Sequence, residues 1–316
     1  MSSLIEQAAQ RLEQLRKAGI VVPGDKPASP ASAAAAGLGE AVLPARMPPP
    51  LPPLPAPQPL APLITSRHVE LNLDALAAIG IVTPNAPRSQ TADQFRVIKR
   101  PLISNAMGKG VPIRSHGNLI MVTSALAGEG KSFTSVNLAI SIAAELDNTV
   151  MLVDADVARP SLLRMLGLPA SPGLLDLLEG KADMSEVLLR TSIDKLTVLP
   201  SGTPHRRATE LLASDSMRAL LEDMAQRYPD RIIIFDSPPL LLTTEARVLA
   251  SQMGQIVVVV QAERTMRADV QQALSTIENC PVRLMLLNKS RTTTVGGYGD
   301  GYGYGYGYGQ EQPVGG

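Results

Sequence analysis

A nine-residue stretch from Ser124 to Ser132 has the residue types of a loop that binds phosphate groups. It reads SALAGEGKS and fits the pattern G-x-x-x-x-G-K-[ST], except that Ala125 occupies the first glycine position. Glycines let the backbone curl so that its N–H groups face an anion, while the lysine adds a positive charge and the serine a hydroxyl for Mg²⁺. An incidental glycine-rich turn is the alternative. The predicted nucleotide-binding residues are Gly128, Glu129, Gly130, Lys131, Ser132 and Phe133.

Two carboxylates end the next apolar stretch, which reads MLVDAD from Met151 to Asp156. Asp154 and Asp156 are two residues apart, so both lie on one face of an extended chain. Beside a phosphate loop, such carboxylates hold hydrated Mg²⁺ or accept a proton from an attacking hydroxyl. The alternative is a turn with a helix cap. Arg159 follows shortly after, where it either neutralises phosphate or is solvated.

A third acidic residue, Asp236, ends the apolar stretch RIIIFD that begins at Arg231. This is the Walker B pattern, in which a carboxylate points at the water shell of a metal ion. Asn288 follows the last apolar stretch and is a candidate amide for a purine base. The alternative for Asn288 is an ordinary turn after a strand.

The elements that position these residues are short runs of Val, Ile and Leu with little alternation, typical of strands covered on both faces. The predicted strands are Leu119–Thr123, Val150–Asp154, Leu196–Leu199, Ile232–Asp236, Ile256–Gln261 and Arg283–Leu287, with helices over 131–146, 209–227, 243–252 and 267–279. This alternation predicts an α/β fold, a doubly wound, mainly parallel sheet with helices on both faces. Ligands of such sheets bind at the carboxyl ends of the strands, where all three motifs stand.

The composition excludes several other kinds of protein. Lys plus Arg and Asp plus Glu number 29 each, and the zero net charge argues against nucleic acid as a partner. Cys280 is the single cysteine, so disulfides within the chain and sites with several thiolates are excluded, and the three histidines lack metal-ligand spacing. No apolar run has the length of a membrane span, and the charged N-terminus differs from a signal peptide. We therefore expect a cytoplasmic protein.

The two ends of the chain differ in composition from its middle. Residues 3–18 predict an amphipathic helix, the Pro- and Ala-rich stretch after it predicts a stiff spacer, and residues 90–107 predict a further helix. The predicted organisation is an N-terminal helix (1–22), a Pro/Ala-rich linker (23–66), a helical oligomerisation or adaptor segment (67–111), the nucleotide-binding domain (112–291) and a Gly/Tyr-rich tail (292–316).

The tail contains most of the tyrosines of the chain. Five of the six tyrosines, separated by glycines, lie in the last nineteen residues: Tyr298, Tyr302, Tyr304, Tyr306 and Tyr308. Glycine maximises backbone freedom and residues 296–309 lack other apolar residues, so we expect exposed tyrosines that can accept phosphoryl groups. The alternative is a low-complexity tail that self-associates.

The motifs, in this order, resemble those of the bacterial tyrosine kinases of the P-loop MinD/ParA-like ATPase class, especially the exosortase-associated autokinases of exopolysaccharide synthesis. The resemblance covers residues 90–308, and the further matching stretches are FRVIKRPL at 95–102, VDADVARP at 153–160, LPSG at 199–202, ELL at 210–212, SPP at 237–239 and the tyrosine-rich tail. It implies ATP and Mg²⁺ as cofactors, with Lys131 on the phosphates and Asp154 as the base that activates the tyrosine hydroxyl. The implied metal ligands are Ser132, Asp156 and Asp236.

The chain departs from the family pattern at three places. The assembly helix of the family, E-x-x-R-x-x-R, becomes Asp93, Arg96 and Lys99, and a lysine cannot reproduce the bidentate pairing of arginine. The arginine of D-x-D-x-R comes one residue late, as Arg159. The second lysine of MinD-type loops is absent near Ser124, which favours the kinases over the partitioning ATPases.

We therefore predict an autokinase that phosphorylates the tail tyrosines of neighbouring copies in a homo-oligomer. The resemblance also implies control of exopolysaccharide synthesis or export through a separate membrane-bound chain-length regulator, which would recruit the protein to the inner face of the membrane. Two alternatives remain open. One is a ParA/MinD-like ATPase switch without kinase activity, and the other is a non-catalytic interaction module gated by nucleotide.

Overall fold

The computed structural model describes residues 66–84, 89–111, 116–227 and 230–290. The predicted N-terminal helix, almost all of the Pro/Ala-rich linker and the tyrosine tail lie outside these residues. Within them, no helix has the length and apolar character needed to cross a membrane.

A sheet of eight strands forms the centre of the described fold, in the order β1-β4-β5-β3-β6-β2-β7-β8. All neighbours run parallel except β4 and β5, which are antiparallel. The strands are β1 (Arg67–Val69), β2 (Leu119–Ser124), β3 (Thr149–Asp154), β4 (Leu189–Thr191), β5 (Leu196–Leu199), β6 (Arg231–Asp236), β7 (Gln255–Gln261) and β8 (Val282–Asn288). The predicted mainly parallel α/β sheet is confirmed, and each of the six predicted strands is present to within one residue at either end.

Two short strands, β1 and β4, were not predicted. Each has three residues, RHV and LRT, and each carries exposed basic side chains, so neither forms an apolar run. They pair with each other at one end of the sheet, and β4 also pairs with β5. Their position depends on contacts with residues distant in the sequence, which periodicity within a short segment does not reveal.

Ten helices lie between or beside the strands in the described part of the chain. They are α1 (Leu73–Ala78), α2 (Gln90–Ala106), α3 (Lys131–Ala143), α4 (Leu162–Met165), α5 (Leu174–Leu178), α6 (Met184–Val187), α7 (Ala208–Leu212), α8 (Asp215–Arg227), α9 (Thr244–Ala250) and α10 (Arg267–Ser275). The single helix predicted over 209–227 is in fact two helices. They separate at Ser214, whose hydroxyl accepts a hydrogen bond from Met217 N at the start of α8.

The sheet is covered on both faces, as the aliphatic strands predict. Alternate residues of β2 enter different hydrophobic clusters, with Leu119 and Met121 on one face and Ile120 and Val122 on the other. All four side chains are fully buried. The central strands are therefore held firmly, and the loops at their carboxyl ends start from fixed positions.

The described residues between 67 and 111, predicted to form a separate segment, are part of the same sheet and its helical layer. β1 is a strand of the sheet, and α2 packs against α3 through Phe95 and Leu102, which are buried in the cluster that covers one face. The predicted boundary at residue 112 therefore does not coincide with a division of the described structure.

Candidate active site

Three strand ends at the middle of the sheet carry the predicted motifs. β6 lies between β3 and β2, and all three run parallel, so their carboxyl ends meet at one edge. The phosphate loop follows β2, while Asp154 and Asp236 are the last residues of β3 and β6 and stand opposite each other in register. The structure thus brings together residues that are more than 100 positions apart in the chain.

The loop after β2 has the backbone geometry of a phosphate cradle. Gly128 and Gly130 have φ values of +83° and +103°, in the left-handed region that favours glycine, and α3 begins directly afterwards at Lys131. Ala125, at the first glycine position of the pattern, is fully buried and is not among the described residues with positive φ. An alanine is therefore tolerated there, because that position does not need the conformation reserved for glycine.

Glu129 braces the loop from inside the protein. Its buried carboxylate accepts hydrogen bonds from Leu126 N at 2.6 Å and Gln261 N at 3.3 Å, and a further one from the Thr265 hydroxyl. The side chain therefore connects the loop to the end of β7. In this structure the side chain fixes the loop's shape, and the role of Glu129 at the nucleotide stays a prediction.

Two residues at the end of β8 hold the loop from the other side. The Asn288 amide donates to Glu129 O at 2.9 Å, and Lys289 Nζ donates to Gly128 O at 2.7 Å. A β-carbon at Gly130 would lie 2.1 Å from Asn288 Nδ2, so an alanine there would displace the amide of Asn288 from the loop. The role of Asn288 toward a purine stays a prediction, since the structure engages its amide with the loop.

A cavity of about 600 Å³ opens beside the loop. Its polar and charged lining includes Lys131, Ser132, Asp156, Arg159, Ser161 and Arg164. The late arginine, Arg159, therefore reaches the same space as the phosphate loop, through a turn closed by its N–H to Asp156 O at 3.0 Å. Phe133 lines this cavity and also a second one of about 820 Å³, between α2 and β8, where Asn288 lies as well.

The acidic residues of the site are buried, and their environments favour the protonated form. Burial raises the pKa of Asp154 to about 7, helped by the charge of Asp236 and opposed by two backbone N–H donors. Burial also raises the pKa of Asp236 to about 6, against the opposing effects of Ser132 and Lys131. The pKa of Asp156 is raised by burial, although Lys131, whose Nζ lies 3.8 Å from Asp156 Oδ2, opposes the shift.

Two of these carboxylates keep an oxygen without a hydrogen-bond partner, Oδ1 of Asp154 and Oδ2 of Asp236. A buried unpaired carboxylate oxygen is costly unless a cation or a ligand satisfies it. Among the described residues no three His, Cys, Asp or Glu side chains gather closely enough to chelate a metal alone. This fits Mg²⁺, which keeps several waters and takes one or two protein carboxylates together with substrate phosphates.

Two serines that were not predicted also contribute to the site. Ser161 donates from its hydroxyl to Ser132 Oγ at 2.8 Å, and the N–H groups of Ser161 and Leu162 donate to Asp154 Oδ2 at 3.1 and 3.0 Å. Ser135 donates to Asp236 Oδ1 at 3.1 Å. Ser135 lies three residues after Ser132 on α3, a spacing that places both on one helix face, whereas no comparable pattern in the sequence points to Ser161.

The residues predicted for oligomerisation fall into two environments. Asp93 and Arg96 are exposed on α2 and form an ion pair at 2.5 Å. Lys99 is buried, and its Nζ contacts Glu145 Oε1 at 2.6 Å and donates to Ser141 O. In this structure Lys99 therefore stabilises the packing of α2 on α3, and only Asp93 and Arg96 present charges to solvent.

This chain is similar in sequence to several known proteins. A family model described as an AAA domain matches residues 117–289. The tyrosine-protein kinase CpsD of Streptococcus agalactiae is 32% identical over 202 residues, which are 62% of this chain and 87% of CpsD. The succinoglycan biosynthesis transport protein ExoP of Rhizobium meliloti is 32% identical over 241 residues, 74% of this chain and 30% of ExoP.

Among solved structures, the chimerical protein CapA2B2 superposes with a TM-score of 0.55 at 26% identity, covering 70% of this chain and 93% of that one. Some relatives are much longer than this chain, which spans only 25% of the tyrosine-protein kinase ptk of Acinetobacter johnsonii. The match to CpsD, in contrast, extends over 87% of that kinase. The region matched by the AAA domain model includes all three strand-end motifs. The chain belongs to the bacterial tyrosine-protein kinases of the MinD/ParA-like ATPase class.

Proposed function

We propose that this chain is an ATP- and Mg²⁺-dependent protein-tyrosine kinase that phosphorylates its own C-terminal tyrosine cluster. The observation that carries the proposal is the position of Asp154, at the edge of the sheet where the phosphate loop also lies. Its pKa of about 7 and its unpartnered carboxylate oxygen suit a general base. Relatives named tyrosine-protein kinases, CpsD and ptk, support the same reaction.

The roles of the residues follow from their places in the site. Lys131 and the loop N–H groups bind and orient the phosphates, and Asp154 accepts the proton of the tyrosine hydroxyl. Ser132, Asp156 and Asp236 would hold Mg²⁺, which when bound neutralises charge on the transferred phosphoryl group. The brace from Glu129 and the contacts from Asn288 and Lys289 keep the loop in one shape, so little reorganisation is needed when the phosphates bind.

The proposed acceptors are the tail tyrosines of neighbouring copies: Tyr298, Tyr302, Tyr304, Tyr306 and Tyr308. Each phosphate adds about −1.5 to −2 charges near neutral pH. The tail of a chain whose formal net charge is zero would thereby become strongly acidic, and repulsion between tails would loosen the assembly. Asp93 and Arg96, exposed on α2, are the proposed charged surface for that assembly.

The proposed biological role is control of exopolysaccharide synthesis or export, in line with the relative ExoP, which is named a succinoglycan biosynthesis transport protein. A separate membrane-bound chain-length regulator would recruit the protein from the cytoplasm to the inner face of the membrane. The predicted N-terminal helix and Pro/Ala-rich arm, outside the described residues, are proposed as the adaptor to that partner.

The decisive experiment incubates the purified chain with ATP and Mg²⁺ and measures phosphotyrosine by mass spectrometry. We expect phosphotyrosine on the tail of the unsubstituted chain and none in Lys131→Met. Lys181→Met, a control at an exposed lysine away from the site, should keep the phosphotyrosine. Replacing all five tail tyrosines with phenylalanine should remove most of the label. ATP hydrolysis without phosphotyrosine would instead identify a MinD/ParA-like switch, and label that persists in Lys131→Met would refute the kinase site.

A further inference from the structure

Two arginines flank the segment that holds the proposed base. Asp154 Oδ2 accepts the N–H groups of Ser161 and Leu162, so this short segment is fixed against the carboxylate. Arg159 lies two residues before it and Arg164 two residues after it, and both line the cavity of about 600 Å³ next to the phosphate loop. Both arginines therefore lie beside the residues that contact Asp154, and both border the cavity next to the phosphate loop.

Neither arginine side chain stabilises the described part of the fold through an ion pair or a hydrogen bond. Both are exposed, and among residues 66–84, 89–111, 116–227 and 230–290 neither guanidinium has an ion-pair or hydrogen-bond partner. The charged residues that line the cavity are three bases and one acid, Lys131, Arg159 and Arg164 against Asp156. Lys131 is already beside Asp156, so the arginines leave positive charge available for an additional anion.

The sequence of the tail suggests which anion this is. From Tyr302 to Tyr308 every second residue is tyrosine, so in an extended strand all these side chains lie on one face. Neighbouring tyrosines are then about 7 Å apart, from two residues at about 3.4 Å each. When the hydroxyl of one tyrosine lies at Asp154, the next tyrosine along the strand is within reach of the side chains of Arg159 and Arg164. These arginines lie two residues before and three residues after Ser161.

We propose that Arg164, together with Arg159, forms a phosphotyrosine subsite beside the acceptor position. A phosphate already present on one tail tyrosine would bind there and place the next tyrosine at Asp154. Arginine suits this role because its planar guanidinium binds phosphate through paired, charge-assisted hydrogen bonds. The proposal rests on the proposed kinase function and adds to it an order of events, in which the first phosphorylation of a tail favours those that follow.

Two peptides with the same number of acceptors test the subsite. Both span residues 300–309, one with phosphotyrosine at 304 and the other with Tyr304→Phe, and the enzyme is the full chain with its own five tail tyrosines replaced by phenylalanine. We expect kcat/KM to be about tenfold higher for the phosphorylated peptide, the size of one charge-assisted contact. Arg164→Gln should lower this ratio toward one, whereas Arg190→Gln, at an exposed arginine on β4, should keep it.

A ratio near one in the unsubstituted enzyme, or a ratio unchanged in Arg164→Gln, would overturn the subsite while leaving the kinase intact. If neither peptide is phosphorylated, the kinase function fails, and binding then decides the subsite separately. Fluorescence anisotropy with ADP and Mg²⁺ present measures the affinity of each peptide. Tighter binding of the phosphorylated peptide that is lost in Arg164→Gln would support the subsite, and equal binding of the two peptides would refute it.

Discussion

Asp154 and Asp236 face each other in register on the neighbouring parallel strands β3 and β6, and both carboxylates are almost fully buried. Burial is the largest cause of the raised pKa values of both groups, and neighbouring carboxylates add to the rise: Asp236 at Asp154, and Asp156 at Asp236. Additional negative charge in this space therefore carries an electrostatic cost, which a cation bound between the strand ends would relieve.

Removing the charge of Asp154 should stabilise the protein when nucleotide and metal are absent. The folded-state pKa, about 7, lies above 3.8, the ordinary value of an aspartate, so the ionised group opposes folding above pH 7. This opposition declines as the pH falls through 7 toward 4. We expect Asp154→Asn to increase the free energy of unfolding at pH 8, by on the order of 2 kcal/mol. The gain should shrink by pH 5.

Urea denaturation at the two pH values measures this effect. Asp147→Asn, at an exposed aspartate after α3, is the matched control and should change little at either pH. An Asp154→Asn protein that is less stable than the unsubstituted protein at pH 8 would show that the carboxylate is not under electrostatic stress. The same variant should lack phosphotyrosine, which separates the role of Asp154 in catalysis from its effect on stability.

Alanine should be far more damaging at Gly130 than at Gly128. Both glycines have positive φ, but a β-carbon at Gly128 meets no atom within 4 Å, whereas at Gly130 it meets Asn288 Nδ2 at 2.1 Å. Gly128→Ala should therefore cost only backbone strain, about 1 kcal/mol. Gly130→Ala should also break the hydrogen bond from Asn288 to Glu129 O and weaken binding of a fluorescent ATP analogue more than tenfold relative to Gly128→Ala.

The double variant Gly130→Ala/Asn288→Ala tests the cause of that loss. If the clash with Asn288 is responsible, removing the amide should restore part of the stability lost in Gly130→Ala, measured by thermal denaturation. Equal effects of alanine at the two glycines would mean that left-handed backbone strain alone decides the outcome.

The carboxylate of Glu129 should control the affinity of the loop for nucleotide. It accepts two backbone N–H groups and the Thr265 hydroxyl, and an amide in its place would turn an NH₂ group toward these donors. We expect Glu129→Gln to raise KM for ATP by about tenfold, a loss typical of one charge-assisted contact, with a smaller change in kcat. Thr265→Val removes one of the three bonds and should raise KM less. An unchanged KM in Glu129→Gln would show that the hydrogen bonds of Glu129 do not control the affinity of the loop for ATP.

The sequence was sufficient to predict the parts of this fold that carry their signal locally. The six longer strands are continuous aliphatic runs, and the phosphate loop has its residue types within nine positions. In contrast, the hydrogen bond between Glu129 and Thr265 joins residues 136 positions apart, and that between Ser161 and Ser132 joins residues 29 positions apart. No pattern within a short segment predicts either contact. The split between α7 and α8 was missed because helical periodicity continues through the break.

Lys99 and Arg96 lie on the same helix, but their environments could not be predicted from their spacing. Substitution of Lys99 should mainly affect the free energy of unfolding, and substitution of Arg96 should mainly affect self-association. Both were predicted to serve assembly from their spacing on α2, yet the structure buries Lys99 against Glu145 and Ser141 and exposes Arg96. Lys99→Met should lower the free energy of unfolding by about 1 to 3 kcal/mol, since a buried charged hydrogen bond to Ser141 O is lost. Arg96→Ala removes only an exposed pair with Asp93, so its effect on unfolding should stay below about 1 kcal/mol.

Self-association should respond in the reverse order. If α2 contributes charge to an interface between copies through the Asp93–Arg96 pair, Arg96→Ala should shift the mass measured by light scattering toward the monomer, since that pair is exposed on the helix. Lys99→Met should affect the mass only in proportion to unfolding, because its ammonium faces Glu145 within the same chain. Arg100→Ala, at an exposed arginine one position further along α2, is the matched control. Unchanged association in Arg96→Ala, together with loss of the oligomer in folded Lys99→Met, would mean that α2 reorients on assembly and releases the buried lysine to the neighbouring copy.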